Sequence, residues 1–304
     1  MTTYSAILDI PRDTIAYLAN LLRQHRQAVR TRAGRRALSV GKQAVLVLRW
    51  FLDNTRLSQL RRDNAIGKST AYSYLHEAIN VLAAQAPDLH TALEAAKQAG
   101  YTHLNIDGTL IYTDRCSTPG PTPGVDLWWS GKHHHHGGNI QVISAPDGHP
   151  IWTSPVRPGR EHDTTAARAH PGLLPALAAA KAEDLPTLSD LGYEGEADTV
   201  RIPVKTPAGG TLTTDQKTYN RLHAAIRSQA ERANAQLKMR YKYYSRGFPV
   251  GGREAAQRDG LLPGGGYIAS PPFGCGWLPG SVRGEQSGVV VVPAGDGLVA
   301  SASL

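Results

Sequence analysis

A change of hydrophobic period near Gly100 divides this chain into two differently built parts. Before it, apolar residues recur at helical spacing: Ile15, Leu18, Leu21 and Leu22, then Ala44, Val45, Leu48, Phe51 and Leu52, then Tyr74, Leu75, Ile79 and Leu82. After it come short β-prone runs at 103–107, 138–144, 149–155, 187–190 and 200–205, separated by Gly, Pro and Asp turn signals. Helical patterns return at 163–180 and 215–243, the second rich in basic residues. The expectation is an α/β (α+β overall) protein. An all-helical domain over 10–99 precedes a mixed sheet flanked by helices over 100–245, and a Gly/Pro-rich irregular tail follows over 246–304. The 304 residues, 41% of them hydrophobic, are enough for a sizeable core.

Three acidic residues stand at the places where such an architecture brings elements together. Asp107 in HLNIDGT and Asp190 in PTLSDLGYEG close β-prone runs, and Glu231 in RSQAERANAQLK lies in the long basic helix. Carboxylates gathered at one point bind hard divalent cations, Mg²⁺ or Mn²⁺. Two such ions clamp the attacking and leaving oxygens of a phosphodiester. The order of strands, helix, strand, strand and long helix matches an RNase H-like fold, in which the first strand and a later one hold two acids side by side and a helix brings the third.

The net charge of +8 favours a polyanionic partner. Arg23, Arg26, Arg30, Arg32, Arg35, Arg36 and Lys42 crowd the early part, where a solvated helix face is the ordinary alternative. The segment LSQLRRDNAIGKSTAYSYLHEAINVL has the layout of a helix-turn-helix, with Ile66 and Gly67 at the turn. Ser69, Thr70, Tyr72 and Ser73 are the candidate base contacts, and Arg61, Arg62 and Lys68 the backbone contacts; an ordinary helical hairpin is the alternative. Cys116 and Cys275 are too few and too far apart for a disulfide framework or a zinc site, which fits a reducing cytoplasm. No apolar run of about 18 residues and no cleavable signal pattern is present, so a soluble intracellular protein is expected.

The motifs IDGTLIYTDR, WWSGKHHHHGGNIQVISAPDGHPIW, VRPGREHDTTAAR, SDLGYEG and ERANAQLK, in that order, resemble the DDE transposases of bacterial insertion sequences, in the group related to Harbinger-type elements. The resemblance covers roughly residues 10–244. It implies an enzyme of the bacterial cytoplasm, associated with the nucleoid, that binds terminal inverted repeats, hydrolyses the phosphodiester at the element's ends and joins the freed 3′-hydroxyl to target DNA. Asp107, Asp190 and Glu231 would be its catalytic, metal-binding triad for two Mg²⁺ or Mn²⁺ ions, and a homodimer or larger assembly would act on paired ends. Lys132 and His133, at the start of the His133–His136 run, are expected on the DNA backbone, with a solvated loop or a metal site the alternatives; Arg227, Arg232 and Lys238, on the helix of Glu231, make a candidate phosphate clamp by their helical spacing, with a surface ion pair the ordinary alternative. His162 and Asp163 are accessory candidates, with Asp163 as a helix N-cap the ordinary alternative. Trp128 and Trp129 either stack on a base or enter the core, and Gly192 and Gly195 shape the turn after Asp190.

From about residue 246 the chain leaves the family pattern. Gly and Pro make up roughly a third of the tail, the level of a low-complexity segment. A frameshift near codon 246 would produce such text, making this a decayed copy; a lineage-specific tail is the alternative. Two other functions fit less of the pattern: a non-catalytic DNA-binding relic or repressor, and a host nuclease of the same fold.

Overall fold

The computed structural model describes residues 8–113, 115, 117–240, 289–294 and 297–302. Cys116, Cys275 and most of the tail lie outside them. The first part is helical as its periodicity requires: α1 (Arg12–Ala28), α2 (Val40–Asp53), α3 (Leu57–Asp63), α4 (Lys68–Ala83) and α5 (Leu89–Gln98). Ser39 caps α2 by accepting from the Lys42 amide, and Asp88 caps α5 by accepting from the Thr91 amide. Asn54 ends α2 in the left-handed conformation, which Asn tolerates better than most residues.

The second part is a mixed sheet. Strand β1 (Leu104–Tyr112) lies antiparallel to β3 (His135–Ser144), with Asp107 opposite Val142 and Gly108 opposite Gln141, and parallel to the short β6 (Thr187–Leu188). β2 (Trp129–Ser130), β4 (Pro150–Thr153) and β5 (Arg157–Pro158) all pair with β3. Gly137 and Gly159 are glycines because a Cβ would come 2.5 Å from the Ile111 carbonyl oxygen and 2.4 Å from the Gly137 carbonyl oxygen. The helices α6 (Asp163–Ala169), α7 (Leu173–Ala182) and α8 (Thr214–Arg240) flank the sheet, and a 3₁₀ segment, Leu191–Glu196, follows β6. In the tail, β7 (Val289–Ala294) and β8 (Gly297–Ala302) form an antiparallel pair.

Three local expectations change. The helical pattern over 163–180 is two helices, because Pro171 and Gly172 interrupt it. The run at 200–205 contributes one bridge, Leu188 to Arg201, and no strand, since Pro203 and Pro207 limit its pairing. The histidine run is half strand: His135 and His136 open β3, while His133 and His134 stay in the turn.

Two buried clusters use opposite faces of the sheet, as alternation along a strand demands. Ile111, Ile140 and Val142 pack with α1, α2 and α4 through Leu22, Leu48, Phe51, Leu75 and Leu82. Leu104, Ile106 and Ile143 pack on the other side with Trp152, Leu173, Leu177 and Tyr193. Leu89, Leu93 and Ala96 of α5 belong to this second cluster, so the last helix of the N-terminal region packs with the sheet rather than with α1–α4.

Candidate active site

Asp107 lies mid-strand in β1 and Asp190 two residues beyond the end of β6, so the parallel pairing of Asn105 with Leu188 brings the two acids alongside. Asp190 is held by its own turn: its Oδ1 accepts from the Gly192 amide at 2.8 Å, and a Cβ at Gly192 would meet that oxygen. The buried Ser189 hydroxyl donates to the Ile106 carbonyl, which ties the two strand ends together.

α8 crosses this end of the sheet and is tethered along one stripe. Asn220 both donates to the Val204 carbonyl and accepts from the Val204 amide, Tyr219 donates to the Ile202 carbonyl, and the His223 ring nitrogen donates to the Ser189 carbonyl at 2.7 Å. One turn on, Arg227 reaches between the acids, with Nη2 3.3 Å from Asp107 Oδ1 and 3.9 Å from Asp190 Oδ2. Asn234 donates to Asp107 Oδ2 at 2.8 Å. Burial pushes the Asp107 carboxyl up to about 6; Arg227 opposes the shift, Asp190 and Asp163 add to it, and Lys132 also opposes it.

Glu231 lies between Arg227 and Asn234 on the same i, i+4, i+7 stripe, yet its side chain is exposed. Among the described residues no group of three His, Cys, Asp or Glu side chains is close enough to hold a metal ion. The structure thus joins Asp107 and Asp190 and leaves Glu231 on the stripe above them. Arg227, read from sequence as a DNA contact, pairs with the two acids. Asn234 escaped notice altogether, although its i+7 spacing from Arg227 marks it as part of the stripe.

Asp163 does not cap α6; the N-cap position is His162, which makes no side-chain cap bond and is exposed. The Asp163 carboxylate instead accepts from Asn139 at 2.9 Å and lies against Gly108, where a Cβ would come within 1.9 Å of its Oδ1. Asn139 in turn accepts from Gln141, and Gln141 accepts from the Tyr193 hydroxyl. Strand alternation sends Gly108 and Asp107 to opposite faces. This polar ladder therefore stands behind the strand that carries Asp107 and is felt there as negative charge.

The remaining candidates are spread more widely. Lys132 and His133 occupy the turn before β3. Arg232 is exposed on α8, its Cβ near Gly148; the Lys238 side chain lies outside the described residues. Trp128 and Trp129 are both half-buried, and Trp129 packs edge-on to His136. On α4, Lys68, Ser69, Tyr72 and Ser73 are exposed and Thr70 is half-buried. Arg61 and Arg62 sit in the last turn of α3, where Arg62 bonds Gln59.

A family model described as DDE superfamily endonuclease matches residues 106–258, just over half of the chain. The chain belongs to that superfamily. No curated protein and no solved structure matches it. The match begins one residue before Asp107, takes in Asp190 and Glu231, and runs past residue 246 into the Gly/Pro-rich tail. DDE endonucleases act on DNA and typically use divalent metal ions. The donor set here suits such an ion: hard carboxylate oxygens from two strands, with the Arg227 guanidinium standing as a cation between them. Among the described residues no helix is long and apolar enough to cross a membrane.

Proposed function

We propose that the chain is a DNA transposase that cuts at the terminal inverted repeats of a mobile element and transfers the freed strand. The juxtaposition of Asp107, within β1, and Asp190, just past the end of the adjacent β6, inside the superfamily match, is the observation that carries this. Asp107 and Asp190 would hold Mg²⁺ or Mn²⁺, with Glu231 supplied from the α8 stripe. When bound, the ions would polarise water or a 3′-hydroxyl for in-line attack and offset charge on the leaving oxygen. The chain's own side chains position and screen. Asn234 orients Asp107, the Gly192 amide orients Asp190, and Arg227 and Lys132 set positive charge beside the acids, where a phosphodiester would approach. The exposed side chains Lys68, Ser69, Tyr72 and Ser73, with Thr70, Arg61 and Arg62, would read and grip the repeats, as a helix-turn-helix does.

The test uses purified full-length protein, Mn²⁺ and a duplex taken from the DNA flanking the gene. Nicks at the element's ends that vanish in Asp107→Ala and Asp190→Asn are expected; no nicking by the unaltered chain would overturn catalysis. A second reading, a DNA-binding relic, is favoured by the exposure of Glu231, which leaves it outside any close group of three acids among the described residues. It predicts repeat binding without any nick.

A further inference from the structure

The connection between α1 and α2 forms a cleft of about 460 Å³ whose walls carry four arginines, Arg23, Arg26, Arg32 and Arg36, and no carboxylate. Two of the four are built into the fold. Arg26 donates to the Leu38 carbonyl and to Gln43, while Arg36 pairs with Glu77 at 2.6 Å, and both guanidinium groups lie over the Tyr74 ring of α4. Among the described residues Glu77 is the one carboxylate paired with any of the four, and it lies outside the cleft lining, its side chain only 9% exposed. Arg23 and Arg32 are exposed at the mouth. The Arg26 Nε is buried without a hydrogen-bond partner. Ser39 and Val40, at the amino end of α2, complete the lining.

Glu77 offsets only part of the charge of the four guanidinium groups around this open cleft, so entry of an anion is favoured, and planar guanidinium donors match phosphate oxygens better than any other side chain does. The location specifies the phosphate's source. Tyr74 and Glu77, which carry the cleft's inner wall, lie on α4, and Glu77 is nine residues beyond Lys68. At the helical rise this is about 13 Å, comparable with the major-groove width of about 12 Å. A duplex that receives the first turn of α4 in its major groove would have its flanking backbone within reach of the arginines. We propose that the Arg23–Arg26–Arg32–Arg36 cleft is a phosphodiester-binding site that clamps the DNA backbone beside α4. It rests on the proposed DNA-processing function and adds a contact that the α3–α4 segment alone does not supply.

The test measures binding of the full-length chain to a labelled duplex by fluorescence anisotropy over a range of salt. The variants are Arg23→Ala/Arg32→Ala, the charge-reversed Arg23→Glu/Arg32→Glu, and Arg12→Ala, an equally exposed arginine at the far end of α1. Among the described residues neither mouth arginine forms an ion pair, Arg23 donating to Asn20 of its own helix, so unchanged melting temperatures serve as the folding control. The alanine pair is expected to weaken binding to all sequences alike and to lower the salt slope by about 1–2. Charge reversal should weaken it further, and Arg12→Ala should leave the slope within error. Duplex binding with an unchanged slope in both double variants overturns the site and leaves the proposed function standing, even if inorganic phosphate still raises the wild-type melting temperature. No duplex binding by the unaltered chain overturns both.

Discussion

Burial outweighs the three neighbours that favour the charge of Asp107, Arg227, Lys132 and the donor Asn234, so its carboxyl is pushed up to about 6. The unfolded chain releases this proton near the ordinary carboxylate value, and the folded chain holds it longer. The resulting stability is fully present below the unfolded value and is lost as pH rises through about 6, a change of about 3 kcal/mol. In chelator, urea melts at a series of pH values should show this loss, and Asp107→Asn should flatten it. A divalent ion reverses the balance by binding the native state: Mn²⁺ at a hundredfold over its dissociation constant should add about 2.7 kcal/mol, and thermal melts of Asp107→Asn should show no such gain. Gly108→Ala acts from behind the strand. Its Cβ would collide with Asp163, whose carboxylate Asn139 holds in place. A stability cost of about 1–3 kcal/mol is expected, with a fall in single-turnover nicking of about a hundredfold if Asp107 shifts by an ångström.

Helix α8 is the element on which the site depends most. Its first half is fastened through Asn220 and His223, and its second half presents Arg227 and Asn234 to β1 while Glu231, between them, faces solvent. Gly148, in the turn between β3 and β4, sets how closely the helix approaches. Its φ is +83°, and a Cβ there would stand 2.4 Å from the Gln229 carbonyl oxygen, which is backbone and cannot swing aside. Gly148→Ala should cost about 2–4 kcal/mol, by adding left-handed strain to the displacement of the helix. Nicking should fall while duplex affinity, which is proposed to come from α3, α4 and the arginine cleft, stays nearly constant; anisotropy and cleavage assays on one preparation separate the two. The first half of this arrangement was legible, since the basic 215–243 pattern and ERANAQLK marked a helix bearing Glu231. The tethers were not. Asn220 and His223 bond backbone groups 16 and 34 residues earlier, and no local pattern encodes such partners.

Across the whole molecule the N-terminal helices and the sheet share one buried cluster, in which Ile111, Ile140 and Val142 are surrounded by α1, α2 and α4. The two parts should therefore unfold together. Ile140→Ala is expected to cost about 2–5 kcal/mol and to move both halves by the same amount, as followed by the fluorescence of Trp50 in α2 and Trp152 in β4; separate midpoints would disprove the coupling. The change of period at Gly100 by itself determined the helical and sheet-bearing parts, and the positions of Asp107 and Asp190 determined which strands carry acids. Those features are local, fixed by the spacing of apolar residues and by turn chemistry within a few positions. Tertiary structure alone decided that Arg227 stands between the two acids, that Glu231 faces solvent above them, that Asp163 works from the far side of β1, and that four arginines close around a cleft beside α4. Each of these depends on residues brought together across the chain, where burial and charge set the outcome and sequence spacing carries no distance.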